Sequence, residues 1–304
     1  MEEERFIPGQ DDQMTIEHLH RYENILSFIK NKSVLDIASG DGYGSYLMSR
    51  YASEVYGVDI CKKTIAKAKK KYLNKNLTFI SDSILELKNI HKKFDVVVSF
   101  ETLEHLKNHK KIIENLKQCL KPQGVLIIST PNKPVYKKFN PSNPFHLKEL
   151  NFKEFDELIR PFFRHIKYCA QKLMISSIIS SDENIKDKID FKTYSNKADL
   201  LDNKFSNSIE DATYFIAICS EYKIRKIDTS MFLPKKNDLI NVYLNHAKWA
   251  QDQDLQIQHL TEAVNHLKRV ASDQKLIKVH ERSNTKFLGK LKKNIFLKIK
   301  QYFN

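Results

Sequence analysis

Three of the seven glycines in this chain lie close together, at positions 40, 42 and 44. They follow the apolar run 33–39 (SVLDIAS), and the residues after them have helical spacing, so the sequence predicts a strand, a glycine turn and a helix. Glycine lets the backbone approach a ligand closely where a side chain would clash. The spacing departs from the Gly-x-Gly-x-x-Gly pattern of dinucleotide-binding turns, so the turn alone is weak evidence.

Acidic residues accompany the ends of three successive predicted strands. Asp59 ends the second predicted strand, where a carboxylate can hold both hydroxyls of a ribose. Asp82 is placed to accept a hydrogen bond from an adenine amino group, and Asp36, below the turn, suits a cationic amino group. Each of these acids could instead cap a helix. Together they do not suit a pyrophosphate, whereas they do suit a cationic nucleoside such as S-adenosylmethionine.

The elements that must position these residues alternate between strands and helices. The predicted strands cover residues 33–39, 54–59, 77–81, 94–100 and 125–130, and the predicted helices cover 43–51, 62–73 and 109–120. This alternation predicts an α/β fold with a parallel sheet covered on both faces.

Beyond residue 131 the alternation weakens. The sequence predicts a loop over 131–148, a helix over 152–159, strand-like stretches within 165–179, an exposed insertion over 181–210 and a last strand over 212–219. We therefore expect the globular domain, residues 1–222, to close soon after that strand.

Six stretches of the chain resemble the class I S-adenosylmethionine-dependent methyltransferases. They are VLDIASGDGYG (34–44), VYGVDI (55–60), FISDSI (79–84), FDVVVSFETLEHL (94–106), LKPQGVLIISTPN (120–132) and NPFHLKEL (143–150). The resemblance runs over roughly residues 1–220 and implies a Rossmann-like, seven-stranded, mostly parallel sheet whose final strand is reversed. It also implies S-adenosylmethionine as the cofactor and methyl transfer as the reaction.

The resemblance carries over to individual positions. It implies that Gly40 and Gly42 line the methionine part of the cofactor. It implies further that Asp59 binds the ribose and that Asp82 with Ser83 binds the adenine. The full predicted cofactor-binding set is Asp36, Gly40, Gly42, Asp59, Ile60, Asp82, Ser83 and Glu101.

Two histidines are the predicted catalytic residues. His105 follows the fourth strand and His146 follows the fifth, at the carboxyl edge of the sheet where reacting groups gather. Either could act as a general base, because an unperturbed imidazole titrates near ~6.5. The alternative for His105 is a capping or packing role. We find no convincing metal-ligand spacing among the His, Asp and Glu residues, so we expect no metal.

The C-terminal third lacks the strand–helix alternation. Residues 235–288 contain neither Gly nor Pro, and eight of thirteen heptad core positions counted from residue 239 are apolar. This pattern predicts a long helix over 235–284 that can form a coiled coil and a homo-oligomer. The alternative is a single helix that packs back on the domain.

Residues 285–304 form a basic tail. The segment 283–304 contains six lysines and no acid, and its apolar residues recur at every fourth position. This pattern is typical of an amphipathic helix at an anionic membrane surface, with a domain-docking helix as the alternative. The four cysteines are isolated, the chain begins with acidic residues and it contains no long apolar segment, so we expect a cytoplasmic protein, peripheral on the inner face of the membrane.

The acceptor is less determined than the cofactor. The stretch ERFIPGQDDQMTIEHLHRYENIL (4–26) resembles a subgroup associated with surface-polysaccharide biosynthesis, in which Arg21 and Tyr22 would belong to a helix that covers the cofactor pocket. We therefore expect an oxygen acceptor, a sugar hydroxyl or terminal phosphate of a polysaccharide or lipid-linked glycan. The alternatives are a quinone-type small molecule or a catalytically idle membrane scaffold. Nucleic acid is disfavoured, because no nucleic-acid-binding module is visible.

Overall fold

A sheet of seven strands organises the N-terminal part of the chain. The strands are β1 (Ser33–Ile37), β2 (Glu54–Asp59), β3 (Leu77–Ser81), β4 (Phe94–Ser99), β5 (Leu120–Pro131), β6 (His165–Gln171) and β7 (Tyr214–Ser220). Their spatial order is β3-β2-β1-β4-β5-β7-β6. The first five strands are parallel, and β7 runs antiparallel to both β5 and β6. The expected seven-stranded sheet with a reversed final strand is confirmed.

The structure, a computed structural model, describes residues 13–141, 143–173, 212–227, 230, 248–249, 251–265 and 289–294. Its helices in the sheet domain are α1 (Gln13–Ile29), α2 (Tyr43–Ser49), α3 (Lys62–Lys71), α4 (His109–Gln118), α5 (Lys133–Phe139) and α6 (Phe152–Ile159), with a 3₁₀ turn at Leu103–His105. The predicted insertion over 181–210 lies outside the described residues.

The prediction of a loop over 131–148 is wrong in its first half, which contains α5. A proline stands in the first turn of this helix, where its missing N–H costs nothing. The Asn132 side chain donates to the Ala212 carbonyl at 2.8 Å and so ties the start of α5 to the segment before β7. Only Tyr136 of α5 is buried, so the helix has no apolar periodicity that the sequence could reveal.

The core lies on both faces of the sheet, because the central parallel strands are buried on both sides. On one face, α4 and α6 contribute side chains such as Ile112 and Phe155, and the Phe155 ring stacks on Phe215 of β7 at 6.1 Å. On the other face, α1 and α2 bury Ile25 and Met48. The two layers together fix the sheet, whose carboxyl edge carries the glycine turn after β1.

Replacing Gly44 by alanine is expected to destabilise the sheet domain by about 1–3 kcal/mol through overpacking. A Cβ atom at this position would lie 2.1 Å from the ring of Tyr22. That ring is buried and packs edge-on against Tyr43 and Phe100, so it has little room to move. Urea denaturation measures the loss. The double variant Gly44→Ala/Tyr22→Ala should lose less stability than the sum of the two single losses. Full additivity would contradict the clash.

The chain divides into two units, residues 1–237 and 238–304. Within the second unit, residues 248–249 and 251–265 are helical, as are residues 289–294. Most of these side chains are exposed, Leu255 and Leu260 among them. The remaining residues of the predicted stalk and tail lie outside the described part. Among the helices described, none is both long and apolar enough to cross a membrane.

Candidate active site

The glycine turn joins β1 to α2 at the point where the strand order reverses, which is where open α/β sheets bind ligands. Gly40 and Gly42 have φ angles of 53° and 83°, in the region that favours glycine. A Cβ on Gly40 would meet nothing within 4 Å, whereas one on Gly42 would lie 2.6 Å from Phe79. Gly40 therefore borders open space, and the missing side chain of Gly42 makes room for the protein's own core.

Asp59 fixes the turn against the start of α3. Its carboxylate accepts hydrogen bonds from the backbone N–H of Gly40 at 3.1 Å and of Cys61 at 2.8 Å. Because Cys61 is the N-cap residue of α3, Asp59 also helps to fix the start of that helix, which partly agrees with the capping alternative. A carboxylate oxygen can accept more than one hydrogen bond, so ribose binding stays compatible with these contacts. The neighbouring Ile60 is 68% exposed and presents an apolar surface at the same edge.

Asp82 lies beside Asp59 because β3 pairs with β2. The Asp82 N–H donates to the Asp59 carbonyl at 3.1 Å, which joins the two strand ends. The Asp82 carboxylate accepts from the N–H groups of Ser83 and Asn89 at 2.8 and 2.6 Å. Asp82 therefore orders the loop that follows β3, and the structure brings both predicted adenine-binding residues to the edge that holds the predicted ribose-binding residue.

Asp36 is almost fully buried below the turn. The Ser45 hydroxyl donates to its carboxylate at 2.5 Å. Burial raises the pKa of Asp36 to about 7; the Ser45 hydrogen bond opposes this rise, and the negative charge of Asp59 adds to it. A cationic group bound next to Asp36 would favour the ionised carboxylate.

Asp36→Asn is expected to remove a pH dependence of stability. An acid whose folded-state pKa is raised binds its proton more tightly when folded, so its favourable contribution is complete below pH ~3.9 and is lost as pH rises to about 7. The wild type should therefore lose stability relative to Asp36→Asn between pH 5 and pH 8, as measured by urea denaturation at both pH values. A constant difference between the two proteins would contradict the raised pKa.

Arg21 of α1 is buried next to the end of β4. Its Nη1 atom donates to Gln171 Oε1 at 3.0 Å and lies 3.4 Å from Glu101 Oε1, and its guanidinium carbon lies 4.7 Å from the centroid of the Tyr214 ring. Its Nε and Nη2 atoms are buried, and no described residue accepts a hydrogen bond from them. Sequence reasoning assigned this residue only to a covering helix. The sequence held one signal of its importance, because Arg21 lies on the buried face of an amphipathic helix.

Glu101 has an unusual backbone conformation for a non-glycine residue, with φ at 48°. The Ser129 hydroxyl accepts from the Glu101 N–H at 3.1 Å and donates to its carboxylate at 2.5 Å. The carboxylate is therefore held by Ser129 and Arg21, on β5 and α1. Such strain at the end of a central strand is common at functional sites.

The two predicted catalytic histidines meet. The rings of His105 and His146 pack edge-on with centroids 5.1 Å apart, and the His146 ring stacks on Tyr136 at 5.0 Å. Nδ1 of His105 lies 3.1 Å from the Phe145 carbonyl oxygen. The buried Glu104 lies beside them, with a carboxylate oxygen 4.0 Å from Nε2 of His105. The sequence analysis gave Glu104 no role.

A cleft of about 290 Å³ opens beside His146. It is lined by Lys133, Lys137, Asn140, Pro141, Asn143, His146, Leu147, Lys148 and Glu149. Three lysines and one glutamate make the lining net positive, which suits an anionic ligand.

Comparisons with known proteins identify the family of this domain. A family model described as "Methyltransferase domain" matches residues 29–197. A Mycolicibacterium smegmatis protein assigned as an S-adenosylmethionine-dependent methyltransferase is 31% identical over 160 residues, which cover 51% of this chain and 62% of that protein. A ubiquinone biosynthesis O-methyltransferase from Actinobacillus pleuropneumoniae is 36% identical over 109 residues, or 34% of this chain and 47% of the relative. The chain thus spans about half to three fifths of these relatives.

A solved chain from the complex of the Haloferax volcanii Trm112 methyltransferase activator with a protein described as a methyltransferase has the same fold. It superposes with a TM-score of 0.51 at 14% identity, over 71% of this chain and 95% of that chain.

Proposed function

Because the chain belongs to the methyltransferase-domain family, we propose that it transfers a methyl group from S-adenosylmethionine to an oxygen acceptor. The observation that carries this proposal is the set of carboxylates at the carboxyl edge of β1, β2 and β3, of which Asp59 accepts from the N–H of Gly40 beside open space. When bound, S-adenosylmethionine supplies a methyl group that its sulfonium charge has activated.

The residues at the turn fit this cofactor. The Nε and Nη2 atoms of Arg21 have no hydrogen-bond partner among the described residues, and a carboxylate such as that of the methionine part would satisfy them. Asp36 would hold the ammonium group, Asp59 the ribose hydroxyls and the exposed face of Ile60 the adenine ring. The guanidinium of Arg21 would thus face the carboxylate of the cofactor. The carboxylates of Asp36 and Asp59 would face its ammonium group and its ribose hydroxyls.

The lysines of the cleft support an anionic acceptor. Lys133, Lys137 and Lys148 line the space next to His146, so a phosphate on a sugar or on a lipid-linked glycan would find complementary charge there. We propose that the acceptor is a sugar hydroxyl or a terminal phosphate of such a glycan. The ubiquinone relatives favour a second candidate, a phenolic hydroxyl of a quinone precursor.

The chain's contribution to the reaction is chiefly positioning. The strand-end acids would fix the cofactor and the cleft would fix the acceptor, so that the two are held in line. For a hydroxyl acceptor, His105 or His146 would take the proton, which contributes about 10²–10⁴-fold in rate. A phosphate acceptor needs no such base.

Calorimetric titration with S-adenosylmethionine, followed by transfer of labelled methyl groups, tests the proposal. We expect micromolar cofactor binding, and labelling of phosphorylated sugars that Lys137→Gln reduces at least tenfold while Lys67→Gln on the exposed face of α3 leaves it unchanged. Labelling of a catechol-type quinone precursor that is insensitive to Lys137→Gln would favour the second candidate. A folded protein that does not bind the cofactor would refute methyl transfer and favour the scaffold alternative.

We also propose that residues 285–304 hold the protein on an anionic membrane surface. The described part of this tail, residues 289–294, is helical, and half of its residues are lysines. Each lysine close to an anionic leaflet contributes about 1 kcal/mol. Deletion of residues 285–304 should move the protein from the membrane to the soluble fraction in sedimentation with anionic vesicles. Unchanged sedimentation would refute the tail as the anchor.

A further inference from the structure

The geometry points to a divalent transition-metal site formed by Glu104, His105 and His146 at the carboxyl edge of the sheet. Each residue offers one ligand atom, and the three atoms lie within 4.8 Å of one another. Metal ligands with bonds of about 2.1 Å in tetrahedral geometry are about 3.4 Å apart, so a contraction of up to about 1.4 Å would complete the site. The sequence did not suggest this cluster, because His146 lies in the segment after β5, far along the chain from its two partners.

The histidines are oriented as metal ligands usually are. Nδ1 of His146 lies 2.7 Å from Glu149 Oε1, and Nδ1 of His105 lies 3.1 Å from the Phe145 carbonyl oxygen. An imidazole that donates from Nδ1 to an oxygen keeps its lone pair on Nε2. Carboxylate and carbonyl partners of this kind fix the tautomer and raise the basicity of metal-bound histidines. In His105, Nε2 is also the nitrogen that lies 4.0 Å from Glu104.

Glu104 would supply the carboxylate ligand from a fixed position. Its side chain is 1% exposed, and its backbone carbonyl accepts from the N–H groups of Leu147 and Lys148 at 2.7 and 3.1 Å. These bonds hold the loop that carries His146 against the turn that carries Glu104. Among the described residues, no lysine or arginine nitrogen lies within 4.0 Å of this carboxylate. Arg21 is the cation that acts on Glu104 in the cofactor-free protein, and a metal ion between Glu104 and the two imidazoles would add a counter-charge in direct contact.

The ligand set indicates which metals fit. Two imidazoles and one carboxylate favour first-row transition ions such as zinc, cobalt or manganese over magnesium or calcium, which prefer oxygen ligands alone. Three protein ligands leave a coordination position open. Glu101 stays outside the cluster, because Ser129 and Arg21 hold its carboxylate.

The role of this ion rests on the proposed function, whereas its binding does not. His146 also lines the lysine cleft, so the open position would face a hydroxyl of the acceptor. The ion would lower the pKa of that hydroxyl. With both histidines bound to the ion, neither would act as the general base. The proton would leave to solvent while the oxygen–carbon bond forms and the sulfur–carbon bond breaks, which releases S-adenosylhomocysteine.

A Co²⁺ titration tests metal binding directly. The full chain is first stripped of metal with a chelator, and binding is then followed by absorbance. We expect one ion per chain, with Mg²⁺ unable to compete at tenfold excess. His105→Ala and His146→Ala should each weaken Co²⁺ binding at least tenfold, while His91→Ala, at an exposed position, should not. Absence of a spectral change, or binding that both site variants retain, would overturn the site and leave a packing cluster of rings.

Titration of the same variants with S-adenosylhomocysteine separates this inference from the proposed function. Retained binding of that ligand shows that the variants are folded and that the cofactor pocket is intact. Cofactor binding without metal binding would refute only the metal site. Metal binding that depends on both histidines in a protein that does not bind the cofactor would refute only the methyltransferase activity.

Discussion

Arg21→Met is expected to lower the free energy of unfolding by about 3–5 kcal/mol, because it leaves buried negative charge without its cation. Glu17 and Glu104 are 2% and 1% exposed, and Glu101 lies 3.4 Å from the guanidinium. The positive charge of Arg21 lowers the pKa of Glu17 and of Glu104, although their burial outweighs it and both pKa values are raised. Urea denaturation of the cofactor-free protein at pH 7 measures the loss.

A double-mutant cycle separates the charge from the packing of Arg21. Glu101→Gln removes one of the stranded charges, so the double variant should be more stable than the sum of the two single effects predicts. Arg160→Met is the matched control, since Arg160 is 66% exposed in its pair with Asp156 and such surface pairs contribute little to stability. A loss below ~1 kcal/mol for Arg21→Met would mean that the buried acids are protonated at neutral pH.

Asp59→Ala should weaken S-adenosylmethionine binding by about 1–3 kcal/mol, or roughly 5- to 150-fold in Kd. The substitution removes the acceptor for the ribose hydroxyls. It also frees the N–H groups of Gly40 and Cys61, which loosens the turn against α3. Isothermal titration calorimetry measures the affinity, with circular dichroism to confirm that the variant is folded.

Two further variants interpret that result. Asp59→Asn keeps an acceptor oxygen but loses the charge, so its affinity should lie between those of wild type and Asp59→Ala. Glu54→Ala removes a carboxylate from the other end of β2, where it pairs with the exposed Lys92, and should leave the affinity unchanged. Equal affinities of wild type and Asp59→Ala would show that the ribose assignment is wrong.

Local pattern was sufficient to predict the alternating strands and helices of the parallel sheet, whereas the number of strands and the reversal of the last one came from the family resemblance. The apolar runs of β1, β2 and β4 are largely buried on both faces. A strand buried on both faces consists mostly of apolar residues, so it can be recognised in the sequence. The reversed last strand and the helix over 152–159 were also predicted at or near their observed bounds. Helix α5 was missed because a short helix with one buried residue leaves no periodic signal.

The amino-acid pattern alone predicted the glycine turn, the position of the strand-end acids beside it and the class of cofactor. It could do so because the carboxyl ends of neighbouring parallel strands always meet at one edge of the sheet. Only the tertiary structure showed that Gly40 borders open space while Gly44 makes room for Tyr22. It also brought His146, from the segment after β5, against His105 at the end of β4. Contacts of this kind depend on how loops pack over the sheet edge, and no residue spacing encodes that packing.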